Sequence, residues 1–208
     1  MLPTSSQIRA AARQSLRGNW LPAIGITLLM IVIMGILSYI PFIGGICALL
    51  LAGPLTIGLY AFFLNLVRAE KAEVGMLFGE FQNYGEKLLL TILIAVFTFL
   101  WTLLLIIPGI IAAYRYSQAY FIMKDNPGIS AMDAIRLSKE MMAGHKFRLF
   151  VLNLSFIGWA ILAAIPFGLG FIWLYPYMLA SLTVFYQDLK DRTSASFSNP
   201  GSNQPITV

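Results

Sequence analysis

Arg115 is the residue whose type and setting most invite a chemical role. It follows Pro108 by seven positions, after an otherwise apolar run. A helix started at that proline rises 1.5 Å per residue and carries Arg115 about 10 Å into its apolar surroundings. A guanidinium at mid-membrane costs about 2.5–3.5 kcal/mol on insertion scales, so it demands a partner. Tyr114, Tyr116, Ser117 and Gln118 flank it, and no Asp or Glu lies inside any long apolar segment. Three roles stay open. Arg115 snorkels toward outer head groups, caps carbonyls beside a proline turn, or binds an anionic head group or solute. The candidate binding set is Arg115, Tyr116 and Gln118, together with Asn153 and Ser155 on a later apolar segment at a depth similar to that of Gln118. The same polar groups suit hydrogen bonds between helices, worth about 0.6–2 kcal/mol each.

A second group is basic. Arg136, Lys139, Lys146 and Arg148 stand close together, offset by Asp133 and Glu140. At a membrane surface each would gain about 1 kcal/mol from anionic lipid. Pairing with the acidic stretch that holds Glu73, Glu80 and Glu86 is the rival use. Neutralising Arg136, Lys139 and Lys146 together is expected to weaken retention of anionic lipid.

Enzyme chemistry finds little support. His145 is the only histidine and Cys47 the only cysteine. No multi-histidine metal cluster, intrachain disulfide or nucleophile–base pair can be assembled from them, and no glycine-rich phosphate loop occurs. No catalytic residue, metal or cofactor is therefore expected. The formal net charge of +5 does not point to nucleic acid, because the basic residues sit beside apolar spans, where membrane orientation accounts for them.

The elements that must position these residues follow from apolar length. Of 208 residues, 59% are hydrophobic and only 11% charged, against about a quarter charged in soluble domains. Apolar stretches of about 20 residues recur, the length of a membrane-crossing helix. A helix satisfies its own backbone in lipid, and runs such as Leu88 to Ile94 lack the alternation a β-barrel strand needs. Six spans are expected at 20–40, 42–67, 88–107, 109–123, 147–165 and 169–185. The run after Arg9, Arg13 and Arg17 is too long for a signal peptide core and is expected to remain as an anchor.

Three turns join these spans in pairs: Ile40-Pro41-Phe42-Ile43-Gly44, Ile107-Pro108-Gly109 and Ile165-Pro166-Phe167-Gly168. None carries a charge. Thirteen of the fourteen Lys and Arg residues lie between or outside the hairpins, Arg115 being the exception. The positive-inside rule then places both termini in the cytoplasm. Trp173, Tyr175 and Tyr177 are expected in an outer aromatic belt.

The chain also repeats. Gly18, Gly85 and Gly144 precede the three turn prolines by 23, 23 and 22 residues. An amphipathic stretch precedes each of these glycines. The faces read Ile8, Ala11, Ala12 and Leu16, then Val74, Leu77, Phe78, Phe81 and Leu88, then Ala134, Leu137 and Met141. Ser130 to Asp133 resembles a capping box. The sequence thus predicts an all-α, six-span transmembrane helical bundle of three pseudo-repeated hairpins with amphipathic cytoplasmic elbow helices. Residues 1–190 form a single integral membrane domain, and 191–208, rich in Ser, Asn and Pro toward the end, form a disordered cytoplasmic tail.

Several ordered runs carry a family resemblance. They are Arg17-Gly18-Asn19-Trp20, Leu105-Ile106-Ile107-Pro108-Gly109-Ile110-Ile111, Tyr114-Arg115-Tyr116-Ser117, Asp125-Asn126-Pro127, Ala134-Ile135 with Ser138, and Leu154-Ser155-Phe156-Ile157-Gly158-Trp159. Over about residues 5–190 the chain resembles a bacterial integral-membrane family, Domain of Unknown Function 975. That family is distantly similar to the membrane region beside some glycerophosphodiester phosphodiesterases, which implies envelope or lipid-linked work. The 208 residues hold no phosphodiesterase domain, and the family supplies no catalytic residues to place.

The expected function is a non-enzymatic, multi-pass component of the bacterial cell membrane that binds lipids or partner proteins. Its expected partners are membrane lipids with anionic head groups, with a protein partner or homo-oligomer also open and nucleic acid excluded. The alternative is a small transporter or exporter with a polar path near Arg115.

Overall fold

The computed structural model describes residues 2–40 and 43–198. The chain folds into α1 (Ser5–Leu16), α2 (Trp20–Ser38), α3 (Ile43–Val67), a 3-10 turn (Val74–Phe78), α4 (Tyr84–Leu104), α5 (Ile106–Tyr116), α6 (Ala119–Asp125), α7 (Ala131–Met141), α8 (Lys146–Leu154), α9 (Ile157–Ala164) and α10 (Phe171–Ser198). Among the described residues the protein is all-α, without strands.

Four helical segments are long and apolar enough to cross a membrane: Trp20–Ser38, Gly44–Val67, Tyr84–Leu104 and Lys146–Ala164. The other two expected spans differ. The stretch 109–123 is divided between α5 and α6, each too short to cross. The last stretch lies in α10, where Pro176 and three tyrosines dilute the apolar character. Residues 191–198, expected in a disordered tail, continue α10. The remaining tail residues 199–208 lie outside the described residues, as do Pro41 and Phe42 of the first turn.

Local chemistry explains several boundaries. Thr4 and Gln7 cap α1 reciprocally, and the Ser130 hydroxyl accepts the Asp133 amide at the start of α7, as its capping pattern predicts. Gly18 and Gly144 adopt φ +79° and +75° at the entries to α2 and α8. The middle entry differs: Gly85 sits inside α4, and Asn83 takes the left-handed bend at φ 50°. Asn reaches that region because its short polar side chain bonds locally. The second amphipathic stretch forms only the 3-10 turn, and Phe78 and Phe81 point outward. The bend of the second hairpin falls on extended Leu105, and Pro108 occupies the first turn of α5, where its missing N–H has no helical partner to lose.

Burial divides every hairpin lengthwise. In α2 the buried residues are Ala23, Ile26 and Thr27, all near its start. In α4 they are Lys87, Leu90 and Thr91, while the core residues of α3 run from Leu55 to Leu66. One packed cluster joins α1, α2, α3, α8 and α10, and a second joins α3, α4, α5, α6, α7 and Tyr186. Toward the turns the helices separate. Leu103, Leu104, Ile106, Ile107, Ile165 and Leu169 stand more than half exposed.

At each turn the two helical arms of the hairpin still touch, and each contact uses a glycine. A Cβ on Gly44 would meet the Leu37 carbonyl, one on Gly109 would meet Thr102, and one on Gly170 would meet Ala163, each closer than 3 Å. In all three cases the partner lies seven positions earlier. A side chain there would force the paired helices apart.

Candidate functional site

Ser138 explains the division of the fourth stretch. It lies fully buried on α7, and its hydroxyl enters the backbone ladder between α5 and α6. It donates to the Arg115 carbonyl at 2.8 Å and accepts from the Gln118 amide at 3.2 Å. A side chain inserted into the i→i−4 ladder is a recognised cause of a helix break. Ser117 turns its own hydroxyl back to the Tyr114 carbonyl, which adds to the bend.

The predicted polar residues around Arg115 are distributed among separate contacts. The Tyr116 ring packs near Phe97 of α4. Gln118 is fully buried; its side-chain nitrogen donates to Ser117, and its Oε1 has no hydrogen-bond partner. Arg115 Nε is likewise buried without a partner. Asn153 donates across to the Tyr114 hydroxyl at 3.2 Å, joining α8 to α5. The Ser155 hydroxyl bonds within its own helix, and its carbonyl accepts from Arg9 of α1. The structure brings Arg115, Tyr116 and Gln118 together at the break; Asn153 reaches it only through Tyr114, and Ser155 belongs to the α1 contact. Tyr177, expected in an outer belt, is buried and donates to the Arg9 carbonyl, because α1 packs along α10 and covers it.

The basic group also divides. Arg148 is turned into the protein, 13% exposed, with Nη1 2.7 Å from Asp188 and its other nitrogens on the Pro3 carbonyl. The Nη1–Asp188 contact is an ion pair and not a hydrogen bond. Its charge is therefore engaged inside the protein, whereas lipid contact was expected. Arg136 pairs with Asp133 one turn away and stays exposed. Lys139 is exposed, Lys146 half-buried, and neither makes an ion pair among the described residues.

Three carboxylates organise the charged end, each held between two cations. Glu80 lies between Lys87 at 2.7 Å and Lys124 at 2.5 Å. Asp188 lies between Arg148 and Arg192. Asp125 is the most enclosed, at 5% exposure. It receives two hydrogen bonds from Arg68, at 2.9 and 2.7 Å, one from Lys190 at 2.6 Å and one from the Tyr186 hydroxyl at 2.8 Å. Beneath it Phe121 stacks on Tyr60 at 4.2 Å and on Tyr186 at 4.9 Å. Each of the three hairpins contributes one ring through its returning helix, and the acid and its cations close the end.

Electrostatics at these acids favour the charged form. Burial pushes the Asp125 carboxyl up, and hydrogen bonds from Arg68, Lys190 and Tyr186 outweigh it, leaving the group below its ordinary range. Glu80 follows the same pattern, with Lys124 and Lys87 overcoming burial. Such acids hold structure well and accept protons poorly. A cavity of 640 Å³ opens beside Glu80, bordered by Glu86, Lys87 and Lys124. Among the described residues no group of three His, Cys, Asp or Glu could hold a metal.

Residue-by-residue reading of the sequence missed Asp125, Glu80 and Ser138 as structural centres. One signal was present: Arg68, Lys124-Asp125 and Lys190 fall at the same place in three successive units, so the ends of all three returning helices had opposite charges available to meet.

The family model described as Protein of unknown function (DUF975) matches residues 1–109 and 102–193. The chain belongs to that family. No curated protein and no solved structure matches it, so the likeness to the phosphodiesterase-associated region gains no support.

Proposed function

We propose that the protein is a non-enzymatic, multi-pass component of the bacterial cytoplasmic membrane that binds lipids or a protein partner through its charged end. In this reading three pseudo-repeated hairpins cross the bilayer. The turns face outward, and both termini and the carboxylate clusters face the cytoplasm. The break between α5 and α6 and the Pro176 segment of α10 complete the fourth and sixth crossings. The elbow helices α1 and α7 pack into the bundle and hold it at the inner interface.

The observation that carries this reading is the bare apolar surface of the hairpin ends. Contiguous exposed apolar surface of this extent is foreign to a monomer in water, and the same surface in lipid needs no cover. The seven-residue glycine contacts at all three turns support the repeat. Salt-bridged acids support a non-enzymatic role, since both oxygens of Asp125 and both of Glu80 are hydrogen-bonded to cations. The transport alternative has one point in favour, the unpartnered Arg115 Nε and Gln118 Oε1 at the break, which a water or polar solute would satisfy.

Topology is the test. In a Cys47→Ser background, single cysteines replace Phe167 at a turn and Gln82 at the charged end. A membrane-impermeant maleimide on intact cells should label position 167 and spare position 82 until the membrane is opened. Labelling of 82 alone from outside would reverse the orientation, and equal labelling of both would end the membrane reading.

A further inference from the structure

We infer that a groove beside α1 binds one anionic phospholipid, with the phosphate on Arg13 and an acyl chain against Trp20, Trp159 and Trp173. This assigns a ligand and a place to the lipid-binding role proposed above and rests on that reading.

The groove has a volume of 350 Å³ and gathers three of the four tryptophans with Arg13, Leu162 and Tyr177. Its head end is built by α1 and the start of α2. Arg13 is exposed and makes no ion pair among the described residues. Arg9, one turn earlier, is occupied by the Ser155 carbonyl and the Phe156 ring, so Arg13 is the cation left to a ligand. Tyr177 is fixed by its bond to the Arg9 carbonyl, which sets the distance between α1 and α10. From there the groove follows the α9–α10 hairpin toward its turn. Its floor is the contact of Gly170 with Ala163, where a Cβ would come within 2.5 Å of the Ala163 Cα. The floor therefore carries nothing larger than a methyl group between exposed Trp159 and Trp173.

Two features select the ligand. No carboxylate lines the groove, Arg13 has no ion-pair partner among the described residues, and a guanidinium matches phosphate oxygens in a bidentate geometry. The remaining wall is apolar and opens beside Ile161 and Leu162, both more than half exposed, on the face that stands in lipid. Indole rings favour that boundary, where one edge is wet and the other apolar. A soluble anion would fill only the arginine end. A phospholipid fills both.

Tryptophan quenching tests the site directly. A Trp101→Phe variant keeps only tryptophans of the groove. It is reconstituted into phosphatidylethanolamine vesicles containing either brominated phosphatidylglycerol or brominated phosphatidylethanolamine at equal mole fraction. Brominated phosphatidylglycerol should quench more strongly. Arg13→Gln should reduce that preference about fivefold, the factor matching about 1 kcal/mol per basic residue at the surface. Arg13→Lys should keep most of it, and Arg17→Gln, the same charge change off the groove, should leave it intact. Equal quenching by the two lipids, a preference that survives Arg13→Gln, or equal loss in the Arg17 variant would overturn the site while leaving the membrane assignment standing. Quenching by neither lipid would overturn the membrane assignment itself.

Discussion

The two ends of each hairpin are held by different forces. At the charged end, α1, α7 and the returning helices pack into two apolar clusters, and three acids are each bridged by two cations. At the turn end a glycine contact joins the paired helices, and large apolar side chains face outward. The contrast appears along single helices. Half of the candidate span Gly44–Val67 is buried, against 17% for Trp20–Ser38 and for Tyr84–Leu104. The central helix owes its place to protein contacts, and in the proposed membrane setting the outer ones find theirs in lipid. Damage to the two ends should therefore differ in kind. The largest loss of folding stability is expected from Asp125→Ala, which leaves Arg68 and Lys190 facing each other across a closed site. Removal of one side of a buried pair costs about 3–5 kcal/mol. Denaturant unfolding of the detergent-solubilised protein would measure it, and a loss below about 1 kcal/mol would show that the cluster is a surface feature.

The opposite test strikes the exposed end. Phe99 lies on the half of α4 nearer the turn and is exposed. Phe99→Asp should cost about 2.5–3.5 kcal/mol at the insertion step. In detergent, where the carboxylate reaches water, unfolding should change little. Alkaline extraction of membranes checks the first part and the same denaturant assay checks the second. A variant that inserts normally and unfolds early would mean that Phe99 packs against protein in the native membrane, and the contrast between ends would fail for α4.

The sequence showed the division between apolar and charged segments because hydrophobic length and charge position are local properties. It also showed the α1 face through Ile8, Ala12 and Leu16 and the glycine entries at 18 and 144, but it misplaced the α7 face: Leu137 is exposed, and Ile135 and Ser138 are buried beside Ala134. It did not show the break after Tyr116, since the hydroxyl that causes it comes from Ser138, twenty residues past Gln118 and on another helix. Asp125 was hidden for the same reason: its partners are 57 and 65 residues away. Arg115 drew attention as a lone charge, yet its carbonyl is what α7 grips. Interactions made by the backbone of a residue leave no trace in its side-chain type.

That grip gives a third, smaller effect. Ser138→Ala removes the group that satisfies both the Arg115 carbonyl and the Gln118 amide. Leaving a buried polar group unpaired costs about 1–3 kcal/mol, and detergent unfolding should move by that amount. If α5 and α6 anneal into one helix instead, the loss falls below about 0.5 kcal/mol, and Arg115 becomes part of a continuous fourth crossing. Either outcome states which of α7 or the lipid decides the shape of this segment.

The smallest effect belongs to pH and separates the charged end into its parts. His145, half-buried at the entry to α8, is held below its ordinary value first by burial, then by Arg148 and Arg192, with Asp188 opposing them. Its folded pKa lies below the unfolded value of 6.5, so the unfolded chain binds the proton more readily. The stability linked to His145 is then complete above pH 6.5 and is lost as pH falls through the folded value. Asp125 and Glu80, also depressed, have ordinary values of 3.8 and 4.5, and their contributions are lost only below those. A stability profile between pH 7 and pH 5 therefore reads His145 with little interference from the acids. Wild-type protein should lose stability across that range, and His145→Gln should flatten the profile. A slope that persists in His145→Gln would assign the titration to another group and would mean that the cations around Asp188 are better solvated than their burial implies.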